Sequence, residues 1–592
     1  MTRTIDQFVR DRRQEARIKF PVEILIYVSS EIGTQHVHKT TLFNISQEGI
    51  SFELPISLGL KTRHDIEIKV SQGSRLQLEV KILWVKQLTD KAFLHGALLT
   101  RLSEEQINLL VDLMQTINRN QPNEKGERRA IDERRERQSA HDGPSKIRKL
   151  DRRLSKRYLE RGAISSRPTK TITLRRVVIT GIGVVAPNGI GKQEFLEALK
   201  TSKPGIKKIS RFNPQPFPSM QAGEISDDEI LKHLSSDLAK KVGCQNLNKS
   251  KLIKRTDRPV QFAIISAIQA LDDADLDLSK INTRTVGISV GSIMGGLAVA
   301  FREHDKYVSS GMNHMNPYTV AAASPNPCSG ELAAELKLKG PSATFSQGCT
   351  SGAMAISYAF DQIQQGKAML MIAGGADSPL IESTYAAFCR SGMLAPSNGV
   401  ITTPQPMDRD RTGMVLSEGA GMVILEDLDH ALARGAPIYA EIMASSNTCD
   451  GHDMIRWRWH GAEATRAMRM ALAEAGIEPM DVSVVFAQAT GSIEGDNMEL
   501  QALHNVFGRQ VQPAVTNVKG MIGYSQAACA PIELVAACLA LENNFIPALP
   551  QFNAAEKLIH ASSVVRTQKL QNALINCFGF GGKNVCLMIS KI

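Results

Sequence analysis

The sequence predicts two folded units of different class, a small β-barrel followed by a large α/β domain. Three observations carry this. Six short β-branched or alternating runs fall before residue 100. From about residue 173 onward, strand-like runs alternate with helix-like runs rich in Gly and Ala. Between the two lies a charged stretch with almost no aromatic or β-branched residues. At 592 residues the chain is too long for one core, since single cores stop growing at roughly 250–300 residues.

In the first unit, taken as residues 1–118, the strand-like runs are Val22–Val28, Thr40–Ile45, Ile50–Leu54, Asp65–Val70, Leu76–Val85 and Phe93–Leu99. Turn residues such as Ser71-Gln72-Gly73 separate them. The run SEEQINLLVDLMQTI then places Ile107, Leu110, Val111 and Met114 at helical spacing, with Ser103 as its N-cap. Six short strands and a terminal helix predict a small barrel.

Residues 119–172 read as a linker, with a helical piece near 150–161. Between Glu124 and Arg161 there are 14 Lys/Arg and 8 Asp/Glu, a surplus of +6 out of the chain's net +10. Such a segment buries no core. A solvated linker explains it. A basic arm for nucleic acid or anionic lipid and a dock for an acidic carrier protein are the other readings. The confinement of the excess to this segment argues against nucleic-acid binding by the folded units.

The third region, 173–592, offers buried strands at Val177–Thr180, Val286–Val290, Leu370–Ala373, Val482–Ala487 and Leu574–Cys577, and a helix at Ala462–Ala475. This is an α/β pattern. Its length of about 420 residues fits a duplicated architecture. The nine cysteines all follow residue 240 and form no CxxC pair, which argues against a disulfide framework and structural zinc. No stretch approaches the roughly 18 apolar residues of a membrane span, and the N-terminal segment has no apolar secretory core. A cytoplasmic protein without a metal or organic cofactor is expected.

Two motifs stand out near the N-terminus. One is Arg13-Gln14-Glu15-Ala16-Arg17, preceded by Arg12. The other is Asn44-Ile45-Ser46-Gln47-Glu48-Gly49. A guanidinium fork suits guanine or phosphate, two arginines at i and i+4 grip a compact dianion, and Gly49 permits close backbone approach. Together the motifs resemble the RxxxR and (D/N)xSxxG signatures of PilZ domains. The resemblance implies cyclic di-GMP as a regulatory ligand of Arg12, Arg13, Arg17, Asn44, Ser46 and Gly49.

The phrase RRVVITGIGVVAPNGIG matches G-x-G-x-x-A at Gly181, Gly183 and Ala186. A dinucleotide site is rejected, because Pro187 opposes a helix there and no acidic residue follows at the required distance. The phrase resembles instead the opening of β-ketoacyl-acyl-carrier-protein synthases, and the resemblance runs to the end of the chain. PNPCSGELAAELKLKGPSATFSQGCTSGAMAI is similar to the family's nucleophile region, with Cys349 at the active-site cysteine. A helix beginning at Cys349 is expected to lower the thiol pKa and to offer N–H groups to an oxyanion. NCFGFGGKN is similar to the family's gating loop, with Phe580 as the gate and Lys583 in place of a Thr.

The resemblance implies a thiolase-type five-layer αβαβα fold and an acyl thioester on Cys349. It also implies acyl and malonyl thioesters on acyl carrier protein as partners, and a homodimer or a heterodimer with another ketosynthase. The chain departs from the family at both histidines that stabilise the enolate. Thr490 stands at the first and Tyr524 at the second, while Lys519, Glu533 and Asp496 are kept. Three readings follow: an active condensing enzyme of fatty-acid or polyketide type, an acyltransferase that stops at the thioester, and a degenerate partner subunit. Retention of Cys349 speaks against the last.

Overall fold

The computed structural model describes six strands between Glu23 and Thr100, and residues 174–592 apart from short stretches around 235, 246, 398, 509–512 and 551–559. The chain divides into two compact units, Met1–Pro168 and Thr169–Ile592.

In the first unit β1 (Glu23–Ser29), β2 (Gln35–Ile45), β3 (Gly49–Leu54), β4 (Arg63–Lys69), β5 (Arg75–Thr89) and β6 (Ala92–Thr100) close a barrel in the order β1-β2-β3-β6-β5-β4. The antiparallel pairing of β4 with β1 completes the ring, which leaves no open sheet edge. Each of the six expected runs coincides with one of these strands, with Val22 and Val70 outside the described residues, and β2 starts five residues earlier than expected. Asn44 pairs with Ser51 beside a register shift, and Gly49 opens β3 opposite Leu98. Arg12, Arg13, Arg17, Ser46, the expected helix after Ser103 and the linker lie outside the described residues.

The second unit is built from two sets of five strands. The first set is β7 (Val177–Ala186), β8 (Val286–Gly291), β9 (Ser342–Phe345), β10 (Leu370–Asp377) and β11 (Gly419–Asp427). The second is β12 (Ala440–Cys449), β13 (Val484–Phe486), β14 (Ala514–Thr516), β15 (Asn572–Gly579) and β16 (Lys583–Ser590). They follow the order β9-β8-β10-β11-β7-β12-β16-β15-β13-β14. Read from each outer edge inward, both sets run third, second, fourth, fifth, first. In both, the outer three strands are parallel and the inner two antiparallel. The expected duplication is therefore present in the topology.

Helices complete five layers. On one outer face α1 (Arg258–Asp273) packs on β7, β10 and β11. A second helix of this half, α2 (Leu297–Ser310), buries only Val299 and Glu303. Between the sheets lie α3 (Ser351–Gln364) and α6 (Cys529–Asn543), which pack on each other and on strands of both sets. On the far face α4 (Ala462–Ala475) covers β12 and β16, with α5 (Ile493–Phe507) against it. Every residue of α6 from Cys529 to Leu541 is buried, as expected of a helix apolar on all sides. Gly181 and Gly183 lie inside β7, not in a phosphate-binding turn. A Cβ at Gly183 would come 1.9 Å from the Ser266 carbonyl oxygen of α1, so these glycines serve close helix-on-strand packing.

Candidate active site

The site forms where loops at the ends of parallel strands from both halves meet. In the first half the chain leaves β9, turns at Gly348 (φ +77°) and enters α3 at Ser351. Ser351 Oγ donates to the Gly348 carbonyl at 2.5 Å and accepts from Gln347 N–H at 2.9 Å, which fixes this turn. Cys349 sits at its crest, 7% exposed. Gly352 lets α3 approach the residues before α6, since a Cβ there would come 2.1 Å from the Ala527 carbonyl oxygen. The buried Asp377 carboxylate at the end of β10 ties the surroundings together. It accepts from the N–H groups of Ile293, Met294 and Ala527 and from Ser292 Oγ. Burial nevertheless pushes its pKa up to about 6.

The Cys349 thiol faces three donors: the Tyr524 hydroxyl and the backbone N–H groups of Phe580 and of Cys349 itself. These favour the thiolate, but burial outweighs them and the thiol is pushed up rather than down. This corrects the expectation from the helix terminus. The first turn of α3 begins two residues beyond the cysteine, and desolvation of the anion is the larger effect. The two amides remain placed to receive an oxyanion.

From the second half come Thr490 and Tyr524. Tyr524 is 3% exposed, and its backbone N–H donates to the Val415 carbonyl at 2.7 Å. Burial, and then the neighbouring Cys349, hold its phenol well above the ordinary value, so it stays a neutral donor. The loop carrying Thr490 is clamped by two buried carboxylates. Asp496 accepts from the N–H groups of Thr490 (2.9 Å), Gly491 (3.1 Å) and Met407 (2.8 Å). Glu499 accepts from the N–H groups of Gln488 (2.9 Å) and Ala489 (2.8 Å) and from Asn576 Nδ2 (2.9 Å). Burial pushes Glu499 up to about 7.

Cys349, Thr490, Tyr524 and Phe580 line one cavity of about 20 Å³, together with Trp457, Phe578, Met414 and Met498. That is room for roughly one water molecule, too little for an acyl chain without movement of the lining residues. Among the described residues no histidine lines this cavity. His452 is exposed, and His460 and His504 lie half-buried elsewhere. Lys519 is not on the cavity wall either. Its fully buried ammonium donates to Glu533 Oε1 at 2.7 Å and to the Ala487 carbonyl at 3.1 Å, behind Thr490. The sequence reading missed Trp457, Glu499 and the two methionines. Trp457 is one of three tryptophans in the chain, in the run Arg456-Trp457-Arg458-Trp459, and that rarity is the one signal that could have drawn attention to it. Among the described residues, no group of His, Cys, Asp or Glu could hold a metal ion, and no helix is long and apolar enough to cross a membrane.

The comparisons agree with this geometry. Residues 174–431 match the beta-ketoacyl synthase N-terminal domain, 439–553 its C-terminal domain, and 11–116 the PilZ domain. The chain is 33% identical over 423 residues to 3-oxoacyl-[acyl-carrier-protein] synthase 2 of Coxiella burnetii, covering 71% of this chain and 99% of that protein. It is 31% identical over 423 residues to the protein of the same name from Staphylococcus aureus strain COL, covering 70% and 98%. Among solved structures it is similar to a beta-ketoacyl synthase from Burkholderia phymatum (TM-score 0.63, 26% identity, 71% and 100% covered). It is similar also to the ketosynthase of a type II polyketide synthase in complex with its acyl-carrier protein, bound to the hexaketide (TM-score 0.63, 25% identity, 71% and 100% covered). The chain belongs to the beta-ketoacyl synthase family, with the thiolase-type fold of that family and a PilZ domain ahead of it.

Proposed function

We propose that this protein is a β-ketoacyl synthase-type acyltransferase of fatty-acid or polyketide biosynthesis, with Cys349 as the acyl carrier. The observation that carries this is the convergence of the Tyr524 hydroxyl and the amides of Cys349 and Phe580 on one buried thiol. In the first step Cys349 Sγ attacks the carbonyl of an acyl thioester. The two amides hold the oxyanion, the C–S bond to the carrier breaks, and the carrier thiolate takes the proton given up by Cys349. In the second step a malonyl-type donor loses carbon dioxide. Thr490 and Tyr524 donate to its thioester oxygen as the enolate forms, and the enolate carbon displaces Cys349 from the acyl group. Lys519 acts as a positioning residue, holding the Thr490 and Tyr524 loops through Glu533 and Ala487. This chemistry calls for no metal or organic cofactor.

A second reading, acyl transfer without condensation, is favoured by one observation. The cavity-lining donors opposite Cys349 are neutral hydroxyls, which stabilise an enolate less than a charged donor does. Intact-protein mass spectrometry with acyl- and malonyl-carrier protein tests both readings. An acyl adduct that is absent in Cys349→Ala, together with a ketoacyl product, supports condensation. An adduct without decarboxylation supports the second reading, and no adduct overturns both.

An acidic carrier protein is the proposed donor, in line with the ketosynthase–carrier complex among the similar structures. Pairing with a second copy or another ketosynthase is supported by the exposed Phe301, Tyr307, Val308, Met312, Tyr318 and Val320 on and after α2, a concentration of apolar surface characteristic of interfaces. A cytoplasmic location fits these partners. Cyclic di-GMP is the proposed ligand of the PilZ domain, through Arg12, Arg13, Arg17, Asn44, Ser46 and Gly49. Calorimetric titration of the full chain checks it: saturable binding is expected, and its loss in Arg13→Ala. Absence of binding to the unaltered protein removes the regulatory role.

A further inference from the structure

Trp457 forms the wall of the Cys349 cavity that faces Phe580. The two rings lie 5.8 Å apart at 41°, within the range of favourable aromatic contact. The indole Nε1 is 3.2 Å from where a Cβ on Gly495 would stand. The glycine in the first turn of α5 therefore makes the space the ring fills. The ring also packs against the apolar core of the second half.

Trp457 belongs to the segment 450–461 between β12 and α4, and this segment is tied to the turn that carries Phe580. The Asp450 N–H donates to the Gly582 carbonyl at 2.7 Å, and the Gly581 N–H donates to the Met454 carbonyl at 2.8 Å. Asn584 Nδ2 donates to Asp450 Oδ1 at 2.9 Å. Gly582 has φ +67°, and a Cβ on it would come 2.5 Å from the Asp450 Cβ. The two segments therefore touch closely enough to require glycine. Displacing Phe580 alone strips one face of the Trp457 ring, and displacing its whole turn breaks the hydrogen bonds to segment 450–461.

We propose that Trp457 is a specificity-determining residue for acylation of Cys349. Trp457 and Phe580 form a two-ring closure, and the bulk of the indole limits which donors pass between α5 and the Phe580 turn to reach the thiol. This rests on the reading of Cys349 as the acyl site.

The test labels the full-length protein with two thiol reagents of different size, iodoacetamide and N-phenylmaleimide. Peptide mass mapping follows each cysteine, with Cys349→Ala identifying its peptide. Trp457→Ala is expected to speed labelling of Cys349 by the larger reagent about tenfold or more, and labelling by the smaller one much less, as for a pocket that discriminates by size. Trp457→Phe keeps a flat ring and is expected to stay close to the unaltered protein. Buried Cys244 and Cys538, neither of which lines the cavity, serve as controls. Unchanged Cys349 labelling in Trp457→Ala overturns the proposal. Equal acceleration at the control cysteines overturns it too, because that is general loosening and not an opened gate. If Trp457→Ala does not fold, Trp457→Leu replaces it with the same expected order. Alkylation needs access to Cys349 and its thiolate form but no acyl transfer, and comparing two reagents on one cysteine cancels the ionisation, so the result stands apart from acyl transfer. Failure of every variant to accept an acyl group would sink the proposed function while the labelling still reports on Trp457.

Discussion

The two halves of the condensing domain share one strand order and supply different chemistry. In the first half the loop after the third strand, β9, carries Cys349. In the second half the loop after the third strand, β14, carries Tyr524, and the loop after the second, β13, carries Thr490. Both sets of loops lie at the carboxyl ends of parallel strands, where open α/β sheets commonly bind ligands. In the proposed mechanism the first half provides the nucleophile and the second the donors. Duplication brings equivalent loops to one cavity, and divergence then gives each loop its own task. The surroundings differ as well. The first half is held by Asp377, which gathers backbone N–H groups near Cys349. The second is held by three buried acids, Asp496, Glu499 and Glu533, and one buried lysine.

The largest expected effect removes the contribution of the first half. Cys349→Ala is expected to abolish the acyl adduct altogether, read by intact mass. An adduct that persists would break the division of labour. Next is the buried pair of the second half. Lys519→Met leaves Glu533 without its counter-charge and is expected to cost about 3–5 kcal/mol, read as a lowered midpoint in urea unfolding. A loss below about 1 kcal/mol would mean the pair holds nothing in place.

The acids sharpen the comparison through pH. Glu499 has a folded pKa of about 7 against an ordinary 4.5, so between those values the folded state holds a proton that the unfolded state has lost. Stability then falls as pH rises through that window and levels off above it. Glu499→Gln is expected to remove a fall of roughly 3 kcal/mol between pH 4.5 and 7, read from unfolding curves at a series of pH values. A parallel pH dependence in the variant would show that Glu499 is not the group responsible.

The smallest expected effects test the donors themselves. Thr490→Ala is expected to lower malonyl decarboxylation about tenfold while leaving acyl loading nearly unchanged. Thr490→His is expected to raise decarboxylation by a similar factor. Equal losses in loading and decarboxylation would place Thr490 in both steps and blur the contrast between halves.

Much of the fold was legible in the chain. The six barrel strands showed through β-branched alternation and turn residues, which are local signals. The strand at Val177–Thr180 and the helix at Ala462–Ala475 showed through apolar runs and helical spacing. The motif phrases around Cys349 and Phe580 were legible because close backbone approach needs glycine at set positions. The thiol was misjudged because the helix terminus is a local feature, whereas burial belongs to the whole site. Trp457 went unnoticed because nothing in its neighbours tells which distant ring it meets.

By itself the sequence determined the two classes of domain, the presence of Cys349, Thr490 and Tyr524 in their motif phrases, and the order in which those phrases occur. Those properties reside in residue identity and short-range spacing. Only the tertiary structure decided that the two halves repeat one strand order, that Thr490 and Tyr524 face Cys349 in one closed cavity, and that burial raises the thiol pKa. Those properties depend on strand pairings and desolvation between residues far apart in the chain, which no local pattern encodes.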